Sequence, residues 1–349
     1  MKKILVTGGS GFIGSNFITN KISDNIILNF DKLTYAANPD NLKDLNHNTN
    51  YHFIEGDIQD SKKIIDAIID FEPDSIINFA AESHVDRSID GPKDFINTNI
   101  IGTYELLQAS LSYYQSLSIA MQKKFRLLHV STDEVYGSLG KTGYFKETTP
   151  YAPSSPYSAS KASSDHLMKA WFHTFKLPIL ITNCSNNYGP FQFPEKLIPL
   201  MIIKCLKKES LPIYGDGKNI RDWIYVTDHC DAIYSTLEKG KVGETYNIGG
   251  SEEKTNIEIV TIICNLLDKK YPSKELSSYK ELIAYVKDRP GHDFRYAIDS
   301  SKIKNELDWT PKHTFEDAIE KTIDWYLNNK VWWESILNKK YNLNRLGEN

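Results

Sequence analysis

Hydrophobic positions in the first half of the chain follow two alternating patterns. Short apolar runs of strand length occur at Lys3–Thr7, Ile26–Phe30, Tyr51–Ile54, Ser75–Ala80, Arg126–Ser131 and Pro178–Thr182. Between them lie segments with helical spacing: Phe12, Ile13, Phe17 and Ile18, then Ile64, Ile65, Ile68 and Ile69 within Ser61–Asp70. Two longer helical stretches follow, Lys93–Leu117 and Ser158–Phe175. Strand-length runs alternating with helices predict βαβ units and a parallel sheet. The runs are continuously apolar, as strands are when helices cover both sheet faces. After about Asn183 proline and glycine punctuate the chain, and shorter helices are expected at Leu197–Lys207, Asp228–Glu238, Asn256–Leu267 and Phe315–Leu327. This reads as a smaller lobe without internal repeats. The run Asp222–Val226 looks strand-like and is expected to return to the main sheet.

Composition narrows the classes. With 349 residues, 40% hydrophobic and 25% charged, the chain has ample core for about two domains, which excludes a disordered protein. Forty-one basic against 45 acidic residues leave no excess positive charge for nucleic acid. No apolar run approaches the ~20 residues of a membrane span. The basic start is followed by only three apolar residues before Thr7, too few for a signal-peptide core, and reads as the first strand. Cys184, Cys205, Cys230 and Cys264 show no metal-type spacing, so reduced thiols in a cytoplasmic protein and no metal site are expected.

Gly8-Gly9-Ser10-Gly11-Phe12-Ile13-Gly14 lies between the first strand and the first helix. Glycine allows the tight turn and close backbone approach, and the helix N-terminus faces a pyrophosphate, while Phe12 and Ile13 pack inward. Asp31 ends the second strand, 17 residues after Gly14. A carboxylate there accepts hydrogen bonds from an adenosine ribose and repels a 2′-phosphate, favouring NAD over NADP. Asp57, at the end of the third strand, is a plausible adenine neighbour. The fold class is therefore α/β, a Rossmann-like doubly wound sheet over residues 1–184 with 220–248 returning to it. Residues 185–349 are expected mainly to form a smaller α/β lobe.

Tyr157 and Lys161 open a helix one turn apart and share a face. A nearby ammonium and a positively charged nicotinamide both favour the phenolate, which then accepts a hydroxyl proton while hydride leaves the same carbon. Thr132-Asp133-Glu134 follows the fifth strand, where ligands bind in open parallel sheets. Two adjacent carboxyls there can divide acid and base work.

Thr7–Gly14, Ala80-Ala81-Glu82-Ser83-His84-Val85-Asp86, Ser131–Gly137 and Tyr157–Lys161 together resemble an extended short-chain dehydrogenase/reductase, and more narrowly the dTDP-glucose 4,6-dehydratase family. Asn183–Pro190, Arg221-Asp222-Trp223 and Asp288–Asp293 extend the likeness through most of the chain. The acid pair discriminates, because epimerases of the same fold usually lack it. The resemblance implies an NAD-dependent hydro-lyase of deoxysugar biosynthesis (rhamnose, for example), converting dTDP-glucose to its 4-keto-6-deoxy form. Tyr157, Lys161 and Thr132 would oxidise C4, Glu134 would remove the C5 proton, Asp133 would protonate the departing C6 hydroxyl, and hydride would return to C6.

The implied cofactor contacts are Gly8, Gly11, Phe12, Ile13, Gly14, Asp31, Lys32, Leu33, Thr34, Asp57, Ile58, Phe79, Ala80, Ala81, Ser83, Thr98, Tyr157, Lys161 and Asn187. The implied substrate contacts are Ser83, His84, Thr132, Asn186, Lys196, Leu197, Pro212, Ile213, Tyr214, Arg221, Asn256, Arg289 and His292. For Arg221 a salt bridge with Asp222 is the competing reading, and for Tyr214 simple packing on the lobe. Relatives of this kind associate as homodimers through four helices, here Lys93–Leu117 and Ser158–Phe175, although those faces could also be buried within one chain. A UDP-sugar epimerase, a UDP-glucose 4,6-dehydratase and a non-catalytic dinucleotide sensor are the alternatives. The choice of thymine over uracil rests on the resemblance.

Overall fold

Each apolar run of the first half becomes a strand in the computed structural model, which describes residues 1–288, 292–339, 341 and 343. These strands are β1 (Lys2–Thr7), β2 (Asn25–Asp31), β3 (Tyr51–Glu55), β4 (Ser75–Asn78), β5 (Arg126–Thr132) and β6 (Ile179–Cys184). Then come β7 (Asn186–Tyr188), β8 (Leu211–Tyr214), β9 (Ile220–Tyr225), β10 (Thr245–Ile248), β11 (Glu253–Thr255) and β12 (Ile283–Val286). The main sheet has the order β10-β6-β5-β4-β1-β2-β3, with every neighbouring pair parallel.

Successive side chains leave opposite faces of a strand, so each strand feeds two cores. Ile4, Val6, Ile77, Leu128 and Leu180 enter one core with the helices Phe12–Lys21 and Val226–Lys239. Leu5, Ile76, Leu127, Ile179 and Ile181 enter the other with the helices Ser61–Phe71, Thr103–Ser116 and Pro156–Phe175. In Ser61–Phe71, Ile64, Ala67 and Ile68 are buried while Ile69 faces solvent, one position off the four-isoleucine face read from spacing.

Two expectations are corrected. The strand at Asp222–Val226 forms, as β9, but it pairs with β7 and β11 in a separate three-stranded sheet. Asp222 is buried there beneath the backbone N–H of Glu252. The helix Val226–Lys239 and β10 are what return to the main sheet, β10 pairing with β6. The long helix expected over Lys93–Leu117 is interrupted: Pro92–Phe95 leads into a π-helical stretch, Ile96–Gly102, before Thr103–Ser116. Within the π stretch Asn99 turns inward to bond both backbone groups of Glu82 and the Ser160 hydroxyl.

The second lobe packs the helices Leu197–Lys207, Asn256–Lys270, Phe315–Asn328 and Lys330–Lys339 around Ile202, Ile259, Ile263, Ile319 and Tyr326. Trp333 enters this core, while the Trp332 indole donates to Asn41 Oδ1 at 2.8 Å and ties the lobe to the first half. All four cysteines are free and buried. Among the described residues no helix is long and apolar enough to cross a membrane.

Candidate active site

The turns and loops that follow β1, β2, β4, β5 and β6 enclose one cavity of about 290 Å³. At one end is the glycine turn. Gly8 has φ +71°, and a Cβ there would lie 2.6 Å from the Ala80 nitrogen. A Cβ on Gly14 would lie 2.4 Å from the Gly8 carbonyl oxygen, so the first helix turn is locked against the strand exit. That helix starts at Gly11 with no side-chain cap and no acid in its first turn, and Gly11 to Gly14 line the cavity. Uncapped N–H groups and the helix dipole there suit an anion. Gly14→Ala is expected to weaken dinucleotide binding at least about tenfold, because the turn cannot hold its shape around the methyl group. Calorimetric titration with NAD would measure it.

Asp31 stands at the same end, its carboxylate held by the backbone N–H groups of Ser10 at 2.9 Å and Leu33 at 2.8 Å. Lys32 pairs with Asp57 at 3.0 Å, so its charge is already met by a carboxylate. Phe12, Ile13, Thr34, Ile58, Phe79, Ala80, Ala81, Ser83 and Thr98 also line this cavity. Leu33, at φ 54°, does not line it.

The other end holds the titratable groups. Ser155 forms a capping box with Ser158, and Pro156 stands at the first helical position, so the helix Pro156–Phe175 begins abruptly and presents Tyr157 in its first turn. Thr132 caps the tight turn Asp133–Tyr136 by accepting the Glu134 N–H at 3.3 Å, which holds both carboxyls at the end of β5. Thr132, Asp133, Glu134, Tyr157, Lys161, Asn186, Asn187 and Lys196 all line the cavity. Asp133 is 2% exposed, and its Oδ2 has no hydrogen-bond partner among the described residues. Burial, then Glu134 and Asp222, drive its pKa well above the ordinary carboxyl range, with Arg221 opposing. These surroundings favour its protonated form.

Tyr157 is also pushed well above its ordinary pKa, first by burial and then by Glu134, with the Thr132 hydroxyl pulling the other way. The Lys161 ammonium, which the sequence pairs with this phenol, donates to the Val130 carbonyl at 2.9 Å and lies 3.2 Å from His129 Nε2. The backbone of β5 claims it because the helix crosses directly over that strand. The phenol is accordingly protonated in these surroundings.

The expected substrate residues divide. His84, Pro212 and Tyr214 line an adjoining cavity of about 260 Å³, with Glu195 common to both. The His292 ring lies 6.3 Å from that of Tyr214 and bonds Asp288 at 2.6 Å. Ile213 is buried in the second lobe's core between Pro212 and Tyr214 and lines neither cavity. Leu197 packs against the same core. Asn256 opens its helix, its N–H donating to the Asn219 carbonyl. Arg221 is buried with its guanidinium 4.4 Å over the Tyr296 ring and donates to the carbonyls of Ile220 and Asp293, while Asp222 accepts the Glu252 N–H. Arg289 lies outside the described residues.

The sequence reading missed Glu82, Gln192, Phe193 and Glu195, all on the cavity wall. Glu195, next to the selected Lys196, accepts from Arg87 Nε at 2.8 Å and the Tyr35 hydroxyl at 3.2 Å, and the Arg87 guanidinium stacks 3.8 Å over the Tyr35 ring. This clasp joins the loop after β2 to the segment that opens the second lobe. Arg87→Leu leaves the Glu195 carboxylate buried without its cation and is expected to destabilise the fold by about 2–3 kcal/mol, read from urea unfolding.

A parallel sheet carrying this glycine turn, with a Tyr/Lys helix across the cavity from it, places the chain in the extended short-chain dehydrogenase/reductase class. Within that class it belongs to the family described as GDP-mannose 4,6 dehydratase, which matches residues 5–322. It is 56% identical over 344 residues to the dTDP-glucose 4,6-dehydratase of Xanthomonas campestris pv. campestris (strain B100), covering 98% of each chain. Among solved structures it is similar to the dTDP-glucose 4,6-dehydratase of Bacillus anthracis str. Ames in complex with NAD. There the identity is 48%, the coverage 96% of this chain and 100% of that one, and the TM-score 0.85. DesIV of Streptomyces venezuelae, a dTDP-glucose 4,6-dehydratase with NAD bound, is 41% identical over 96% of this chain and 99% of that chain, with TM-score 0.87.

Proposed function

We infer that the chain is a dTDP-glucose 4,6-dehydratase, a hydro-lyase that uses NAD and yields dTDP-4-keto-6-deoxyglucose and water. The observation that carries this reading is the shared cavity: the buried Asp133, whose surroundings favour its protonated form, and its neighbour Glu134 face the same space as Tyr157 and the glycine turn. The residues fit a dinucleotide, with the Gly8–Gly14 turn against its pyrophosphate and Asp31 at its ribose. NAD supplies the acceptor and later the donor of the hydride.

Tyr157, ionised when positive charge enters the cavity, accepts the C4 hydroxyl proton, with Thr132 hydrogen-bonded to the phenol. The C4 ketone acidifies C5–H. Glu134 then takes the C5 proton and Asp133 gives its own to the C6 hydroxyl, which leaves as water. Hydride return to C6 and proton return to C5 complete the product. Asn186, Ser83 and Lys196 are the sugar-nucleotide contacts on the cavity wall, and Tyr214 and His292 would meet the nucleoside in the adjoining cavity.

The exposed Ile96, Ile101, Tyr104 and Phe175 lie on the two helical stretches assigned to a four-helix homodimer. Sedimentation equilibrium is expected to give twice the chain mass. Four free thiols suit a reducing cytoplasm. Incubation with dTDP-glucose and, separately, UDP-glucose tests the function: kcat/KM for keto-product should favour dTDP-glucose. Failure to release water from either substrate with NAD present would overturn the reading.

A further inference from the structure

Behind the catalytic helix lies a buried ionisable cluster to which the reaction sequence above assigns no task. Asp165, one turn beyond Lys161, is fully buried, and its Oδ2 accepts the hydroxyls of Ser131 and Tyr151, each at 2.9 Å. Its Oδ1 lacks a hydrogen-bond partner among the described residues and stands 3.5 Å from His129 Nε2. The same imidazole nitrogen lies 3.2 Å from the Lys161 ammonium and 3.2 Å from the Ser164 hydroxyl, while Nδ1 meets the Asn78 amide at 3.0 Å. Asn78 is anchored in turn by the Thr7 hydroxyl at 2.6 Å. A lysine, a histidine and an aspartate thus share a buried site between β5 and the helix that carries Tyr157, and of the three Lys161 alone reaches the cavity wall.

Burying an ammonium without a counter-charge costs several kcal/mol, and the group sheds its proton instead. Burial lowers Lys161 to about 8, with Asp165 the leading opposing influence and Cys184 the next. The groups facing Lys161 come from three elements. Cys184 on β6 is pushed up to about 12 by burial and stays a neutral thiol. His129 on β5 is driven far below its ordinary value by burial and by Lys161, so its ring is neutral. On the helix itself Tyr157 is a protonated phenol. Asp165 remains: burial raises it, and Lys161, the Ser131 and Tyr151 hydroxyls and Lys169 pull it back towards the carboxylate.

We propose that Asp165 is a positioning residue for the first chemical step, the buried counter-charge that keeps Lys161 an ammonium, with the His129 ring wedged between the two. It touches neither substrate nor cofactor, since the cavity walls include Lys161 but not Asp165 or His129. The inference rests on the reading of Lys161 as part of the catalytic helix. The wedge orients Lys161 along β5, and the carboxylate sets the pH above which the amine loses its proton.

The test reads the lysine directly in the full chain, so it stands apart from turnover. Protein carrying ε-¹³C-lysine is titrated by NMR, with the Lys161 signal assigned from its loss in Lys161→Arg. The native midpoint is expected near pH 8, falling by about one unit in Asp165→Asn and recovering in Asp165→Glu. An unchanged midpoint in Asp165→Asn overturns the proposal. Should Asp165→Asn fail to fold, the reciprocal measurement decides, because linkage is mutual. Lys161→Met is then expected to show a protonated carboxylic-acid infrared band at neutral pH that Lys161→Met/Asp165→Glu shifts, and absence of the band overturns the proposal. Native protein that titrates as expected yet converts no sugar nucleotide would refute the proposed function alone.

Discussion

Tyr157→Phe is expected to lower kcat by roughly three orders of magnitude while leaving the fold intact. Removing a positioned general base costs ~10²–10⁴-fold, and this one acts at the first step, on which all later chemistry depends. The phenyl ring keeps the edge contact with Phe95, whose centroid lies 6.2 Å away, so packing changes little. Rapid mixing with dTDP-glucose should show no reduced-nicotinamide absorbance. The phenol is held up by burial and by Glu134 and Asp133, so its ionisation needs positive charge on the cavity side. Ultraviolet titration of phenolate is therefore expected to give a lower midpoint with NAD bound than without it, a difference that Tyr157→Phe abolishes.

The second large effect separates the two carboxyls. Glu134→Gln is expected to permit slow cofactor reduction but to cut water loss by about 10²–10³-fold, with no deuterium entering C5 in heavy water. Asp133→Asn should lose water release to a similar degree, yet allow deuterium into C5, because Glu134 can still take that proton. If both variants exchanged C5 equally, the division of labour would be wrong. The pH dependence has a definite sign. Asp133 works in its protonated form, and burial with like-charged neighbours raises its pKa, so its contribution is complete at low pH and is lost as pH rises through that raised value. Asp222, itself raised to about 7 by burial, is one of those neighbours. Asp222→Asn is expected to move the alkaline loss to lower pH.

What the sequence made legible follows from the range of the interactions. The Tyr157–Lys161 face is one helical turn, and the Thr132–Asp133–Glu134 turn is three consecutive residues, so local spacing sufficed for both. The glycine turn declared itself through steric need at Gly8 and Gly14. By contrast, the contact of Lys161 with His129 joins residues 32 apart, and the Arg87–Glu195 pair joins residues 108 apart. No periodicity encodes such pairings. Strand β9 was recognisable as a strand, but its partners β7 and β11 are short and polar, and nothing in its own pattern chose between two sheets. The π-helical stretch at Ile96–Gly102 was invisible because its apolar positions still fit an ordinary helix.

Strand β10 has a consequence for anyone dissecting the molecule. It is supplied from between β9 and β11 of the small sheet, some sixty residues after its neighbour β6, yet it completes the row of seven. An N-terminal fragment ending near Asn183 would carry β6 as an unprotected border with open amide and carbonyl groups, an invitation to self-association. The dinucleotide half is therefore not a portable cassette, and grafting experiments should carry Thr245–Ile248 with it.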